Sequence, residues 1–171
     1  MFLSVQEMEL RKLGFEAAYR PGEIEFFDNQ LRQATPLEVS GTAELAGATR
    51  EIRLKGRLKV RMEADCDRCL GAASFPIDAG FDLFYQPEGV GTGSEDIALD
   101  AGAVEIAYYT GGGLELKDVL REQVLLALPM QRVCREDCKG ICPVCGGDRN
   151  GGDCGCTVKP ADDRWAALKD L

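Results

Sequence analysis

Histidine is absent from the 171 residues. That removes Ser-His-Asp and Cys-His catalysis, the two-His facial triad and every His-bound metal site at once. Bases are outnumbered: 20 Lys and Arg stand against 29 Asp and Glu, for a net charge of −9. Binding to nucleic acid through overall charge needs the reverse balance, because phosphate affinity comes from Lys and Arg. A local basic patch remains compatible with it. No stretch approaches 18 uninterrupted apolar residues, so nothing reads as a membrane span. The start, MFLSVQEMELRKLG, lacks a basic segment followed by an apolar run of signal-peptide length. The expectation is a cytoplasmic chain with reduced thiols. A phosphate loop and a paired-carboxylate signature are also missing, so the chain is not expected to be an enzyme.

What is present is enough for a core: 45% of residues are apolar. Residues 5–13 fit a short helix or an edge strand, and 23–27 (EIEFF) read as a strand. Leu37, Val39, Gly41, Ala43 and Leu45 alternate with polar residues, the period-2 mark of a half-buried strand. Gly47 suits the turn that follows. Ile52, Leu54, Gly56, Leu58, Val60 and Met62 then alternate with Arg53, Lys55, Arg57, Lys59 and Arg61. Phe75, Ile77, Ala79, Phe81, Leu83 and Tyr85 give a third alternating run. Residues 86–102 are Gly-rich and acidic and read as a loop, and 104–109 as a further strand. From Leu116 to Leu128 the period changes to that of a helix, with Leu116, Val119, Leu120, Val124, Ala127 and Leu128 on one stripe, ended by Pro129. A short helix is expected at about 162–170. The spacing predicts an α+β fold: an antiparallel β-meander packed with one main helix over 1–129, then a cysteine-rich zinc-binding segment over 130–171.

That segment carries Cys134, Cys138, Cys142, Cys145, Cys154 and Cys156, and Cys66 and Cys69 form a further pair between two strands. Cys142-Pro-Val-Cys145-Gly has the form of a zinc knuckle, two thiolates across a tight turn. Zinc takes four tetrahedral thiolates, so eight cysteines suffice for two closed structural sites. One partition joins Cys142, Cys145, Cys154 and Cys156, and pins Cys66 and Cys69 to Cys134 and Cys138. A rival joins Cys134, Cys138, Cys142 and Cys145, leaving Cys66, Cys69, Cys154 and Cys156. A third has one zinc with several free thiols. Disulfides conflict with the expected reducing compartment. A redox pair at Cys66 and Cys69 would normally open a helix, not join strands. Cys138-x3-Cys142-x2-Cys145 has the spacing of a radical-SAM cluster motif, but only 26 residues follow Cys145.

With these motifs in view the chain resembles the YceD family, named for large-subunit ribosomal RNA accumulation. The resemblance lies in Cys66-Asp-Arg-Cys69-Leu70 after a basic strand and in Leu125-Leu126-Ala127-Leu128-Pro129. It continues through Cys138-Lys139-Gly140-Ile141-Cys142-Pro143-Val144-Cys145-Gly146, Cys154-Gly155-Cys156 and Asp163-Arg164-Trp165-Ala166-Ala167-Leu168. It implies a small non-enzymatic bacterial cytoplasmic protein needed for 23S ribosomal RNA accumulation or processing, hence for large-subunit assembly.

Two surfaces offer a route to that role. Arg53, Lys55, Arg57, Lys59 and Arg61 would form a cationic row about 27 Å long at the strand rise, able to follow an RNA backbone. Glu38, Glu44, Asp78 and Asp82 lie on flanking strands at outward phases, so ion pairs could occupy the row instead. The other surface is the stretch from Asp78 to Glu115, which contains acids and no base. It could hold a basic ribosomal protein, or serve only as a solubilising loop. Trp165, Tyr108 and Tyr109 could stack on bases but better suit a core.

Overall fold

The computed structural model describes residues 1–46, 50–89 and 106–157. The fold is α+β with a mostly antiparallel sheet and one main helix. The chain divides into two compact units. The first comprises Met1–Ala64 and Ser74–Met130; the second takes in Asp65–Ala73 and the chain from Gln131 on.

The strands and α-helices run β1 (Phe2–Ser4), α1 (Val5–Leu10), β2 (Leu13–Tyr19), β3 (Arg32–Gln33), β4 (Leu37–Ala46), β5 (Glu51–Asp65), β6 (Ala72–Pro87), β7 (Ile106–Tyr109), β8 (Gly113–Glu115) and α2 (Leu116–Ala127). The main sheet has the order β2-β4-β5-β6-β7, with β3 also paired to β5. β1 and β8 form a separate two-stranded sheet. The three alternating runs are the three longest strands. Their apolar phases point one way: Leu37, Ala43, Ile52, Leu54, Leu58 and Met62 are all buried, while Lys55, Arg57, Lys59 and Arg61 are exposed. A period-2 pattern places alternate side chains on opposite faces, so one face packs and the other is wet.

Helix α2 adds Leu116, Val119, Leu120 and Val124 to the same core. Each fully buried side chain of this size contributes about 1.5–3 kcal/mol of burial. The buried stripe ends at Val124: Leu126 and Ala127 are exposed and Leu128 is half-buried. Leu128 has left the helix, at φ −75° and ψ 144°, because the ring of Pro129 disfavours helical backbone in the residue before it.

The paired glycines of the two central strands have a packing reason. Gly41 and Gly56 lie directly opposite each other. A Cβ at Gly41 would stand 2.6 Å from the Phe15 ring, and one at Gly56 2.7 Å from the Phe81 ring. Two core aromatics lie over the strands where side chains are missing.

Four elements differ from the sequence reading. Residues 5–13 divide into helix α1 and the start of β2, a strand the periodicity did not single out. Residues 23–27 are not a strand: Ile24 and Phe26 are buried, but the chain turns at Phe27, at φ +54°, and forms no ladder. β7 pairs with β6 in parallel, Phe84 opposite Ile106 to Pro87 opposite Tyr109, so the last strand departs from the meander. β6 itself runs to Pro87, into the expected loop. The expected turn at Gly47, most of the acidic loop, and the expected helix at 162–170 with Trp165 lie outside the described residues. Among those described, no helix is long and apolar enough to cross a membrane.

Candidate metal centres and the charged sheet face

The second unit is built around sulfur. Its Cys66, Cys69, Cys134 and Cys138 bring four Sγ atoms within 4.8 Å of one another, and Cys142, Cys145, Cys154 and Cys156 do the same. Each set could hold a metal ion. The grouping coincides with the first of the partitions above; the rival sets are not brought together among the described residues.

Two of the four arms share one geometry. In Cys66–Gly71, the Cys66 N–H donates to the Gly71 carbonyl at 2.7 Å and the Leu70 N–H donates to the Cys66 carbonyl at 2.9 Å. In Cys142–Gly147, the Cys142 N–H donates to the Gly147 carbonyl at 2.8 Å and the Gly146 N–H to the Cys142 carbonyl at 2.8 Å. The fourth residue after the first cysteine is left-handed in both, Leu70 at φ +61° and Gly146 at φ +73°. The second residue after it turns its N–H to the sulfur: Arg68 to Cys66 and Val144 to Cys142, each at 3.4 Å. The second arm of the first centre closes on the first through a glycine. Gly140 has φ +69°, and a Cβ there would lie 2.9 Å from the Arg68 carbonyl oxygen.

Sulfur chemistry follows from this framing. Burial pushes the Cys66 thiol up, but N–H groups of Cys69, Cys134 and Arg68 directed at it outweigh burial and bring it down to about 6. Cys142 falls to about 6 through the N–H groups of Cys145 and Val144 and the Cys154 thiol. Cys138 is also lowered: burial opposes this, and the Asn150 side chain, with its Nδ2 at 3.5 Å from the sulfur, favours the thiolate. Burial and the neighbouring thiols push Cys134 up to about 12, and the Cys154 and Cys145 thiols push Cys156 up to about 12. Each centre therefore holds thiolate-favouring sulfurs beside ones that resist ionisation next to them. A cation among the four relieves that repulsion.

Arg68 and Asn150 are supporting residues that sequence reasoning missed. Arg68 Nη1 donates to the Glu136 and Cys138 carbonyls at 3.1 and 3.3 Å, and Nη2 to Gln131 Oε1 at 3.1 Å. Asn150 Oδ1 accepts from the Lys139 N–H and from Arg135 Nη2, each at 2.9 Å. Their only signal in sequence was position, inside one knuckle and just before the last two cysteines.

The two centres differ in cover. Cys66 and Cys138 are buried in the first; in the second only Cys142 is, and Cys145, Cys154 and Cys156 are exposed.

In the first unit, β5 places Arg53, Lys55, Arg57, Lys59 and Arg61 along the wet face. Arg53 grips Asp82, Lys55 lies 3.8 Å from the same carboxylate, and Arg57 meets Asp78 at 2.6 Å. Lys59 and Arg61 have no carboxylate within ion-pair distance among the described residues. Lys59 stands opposite Glu38 in register. Glu44 is taken by Lys12 at 3.0 Å. Tyr109 is buried and donates to the Arg50 carbonyl at 2.8 Å, whereas Tyr108 is exposed.

The family described as Large ribosomal RNA subunit accumulation protein YceD matches residues 54–171. That span contains all eight cysteines and most of the basic row. An uncharacterised protein of Mycobacterium tuberculosis and one of Mycobacterium bovis are each 27% identical over 123 residues, covering 70% of this chain and 55% of theirs. The chain thus spans about half the length of the curated relatives it matches. No solved structure matches it.

Proposed function

We infer the function from one premise: this chain belongs to the YceD family of large ribosomal RNA subunit accumulation proteins. On it we propose a non-enzymatic bacterial ribosome-biogenesis factor, cytoplasmic, that supports 23S ribosomal RNA accumulation or processing and large-subunit assembly. The observation that carries this reading is the family match across both the β5 row and the cysteine centres.

Two structural zinc ions complete the second unit. Zinc bound to four thiolates at about 2.3 Å holds its sulfurs about 3.8 Å apart. Cys66 and Cys138 are separated by 3.8 Å, and so are Cys69 and Cys134. The ion supplies order to a segment with little apolar area of its own. Four thiolates leave no coordination position for a substrate, which suits a structural role.

The RNA-facing surface is the β5 row, with Lys59 and Arg61 its most available cations. Depleting the protein lowers the ratio of 23S to 16S RNA and the large-subunit peak in a sucrose gradient. An unchanged ratio and gradient overturns the reading. A second reading is an acidic binding module for a basic ribosomal protein, without direct RNA contact. It is favoured by Asp78 and Asp82, which already engage three of the five cations. Crosslinking in cells separates the two: 23S fragments joined to β5 support the first, a protein adduct alone the second.

A further inference from the structure

We propose that the outer edge of β2 docks an extended, Lys- or Arg-bearing segment of a partner protein, which adds a strand to the sheet. The proposal rests on the fold and is independent of the RNA role.

β2 ends the main sheet and pairs only with β4 among the described residues. Its ladder is unbroken from Leu13 opposite Ala43 to Tyr19 opposite Leu37. A strand with one neighbour turns alternate N–H and C=O groups outward. Proteins usually blunt such an edge with lysine, proline, a bulge or shortness. β2 is seven residues long, Leu-Gly-Phe-Glu-Ala-Ala-Tyr, without lysine, proline or bulge. The opposite edge, β7, has four residues. Leu13, Phe15 and Tyr19 are buried, so the core holds the strand in place.

The wet side of β2 has room for a neighbour's side chains. It presents Gly14, Glu16 and Ala18, and a Cβ added at Gly14 would meet nothing within 4 Å. On its inner side, over β4 to β6, a groove of about 610 Å³ has Arg57, Lys59 and Asp78 as well as Glu16 and Glu38 in its walls, so the cations lie inward and Glu16 is the charge on the outermost strand.

Charge selects the occupant. Glu16 sits at the centre of the edge and has no ion-pair partner among the described residues. Glu38 lies on the same face, opposite Ala18. Two copies pairing antiparallel through 13–19 would set Glu16 against Glu16, and like charges directly opposed across strands destabilise. A foreign strand with Lys or Arg at that position gains instead. Main-chain hydrogen bonds give such a complex its affinity, and the cross-strand pair its selectivity.

The probe is a nine-residue peptide alternating valine and threonine around a central lysine, with a twin carrying central glutamate. The lysine peptide is expected to slow amide exchange at alternate residues of Leu13–Tyr19 in the full chain. Glu16→Lys weakens it about tenfold and lets the glutamate twin bind, as expected for exchanging an attractive cross-strand pair for a repulsive one. Glu16→Gln falls between, and both variants keep the thermal melt because Glu16 is exposed. Methylating alternate backbone nitrogens of the peptide abolishes binding. Absence of protection at millimolar peptide, protection confined to other residues, or affinity unchanged in Glu16→Lys overturns the proposal. Self-association of the wild-type chain through Leu13–Tyr19 in sedimentation overturns it too, and assigns the edge to a second copy.

Discussion

Arg53 and Asp82 meet fork to fork between β5 and β6, Nε to Oδ1 at 2.9 Å and Nη2 to Oδ2 at 2.7 Å. The bidentate geometry is the strong form of a carboxylate–guanidinium contact. It sets one end of the cationic row apart from the other, where Lys59 and Arg61 face solvent.

RNA affinity should follow that division. Lys59→Glu with Arg61→Glu is expected to weaken 23S RNA binding more than Arg53→Glu, and to reduce the salt slope by about one unit per lost phosphate contact. Asp82→Asn, which releases Arg53 and Lys55, is expected to raise affinity. Filter binding across a salt series measures both.

Acid should act on the same face. Hydrogen bonding from Arg57 and Arg53 holds the Asp78 and Asp82 carboxyls below the usual aspartate value. Each is lowered in the folded state, so its stabilisation is complete above the unfolded value of about 3.9 and is lost as pH falls through the folded one. Urea midpoints of wild type and the Asp78→Asn, Asp82→Asn double variant should differ at pH 7 and converge in acid. Both pairs are exposed, so added salt should shrink the difference.

Reduced protein should contain two zinc ions per chain and be colourless. A chelator should remove them in two phases, the centre of Cys142, Cys145, Cys154 and Cys156 first, because three of its sulfurs are exposed. Cys145→Ser should leave one zinc and abolish the fast phase. Elemental analysis and a thiolate-absorbance time course check both outcomes.

The glycine pair should resist any side chain. Gly56→Ala would bring a Cβ within 2.6 Å of the Ser40 carbonyl oxygen and 2.7 Å of the Phe81 ring. Overpacking of this kind costs about 1–3 kcal/mol, read as a lower urea midpoint with unchanged slope.

The sequence announced β4, β5, β6 and α2 clearly because each has one wet face and one packed face, and amphipathic periodicity reports that alone. β2 escaped notice because it follows α1 after only Arg11 and Lys12, with no glycine or proline between them to mark the change. The run 23–27 misled for the opposite reason. Ile24 and Phe26 do alternate inward, but periodicity reports burial and not pairing, and Phe27 turns the chain before a ladder can form. The parallel sense of β7 depends on the connection from β6, which carries no strand-direction signal. Among the cysteines, spacing exposed the Cys66 and Cys142 knuckles. Which arm each knuckle would face was left open, because that depends on where folding carries Cys134 and Cys154. Arg68 and Asn150 act through carbonyls and sulfurs far along the chain, and no local pattern encodes such contacts.

The sulfur separation between Cys66 and Cys138 spans 72 positions of sequence, and that between Cys69 and Cys134 spans 65. An ion shared by these residues makes the intervening chain a closed ring that contains β6, β7, β8 and α2. Such a ring denies the denatured chain much of its freedom; by the arithmetic used for disulfides, closing a loop of this size amounts to about 4 kcal/mol. Such an ion would be a tether that raises the free energy of the unfolded chain without adding an atom to the core.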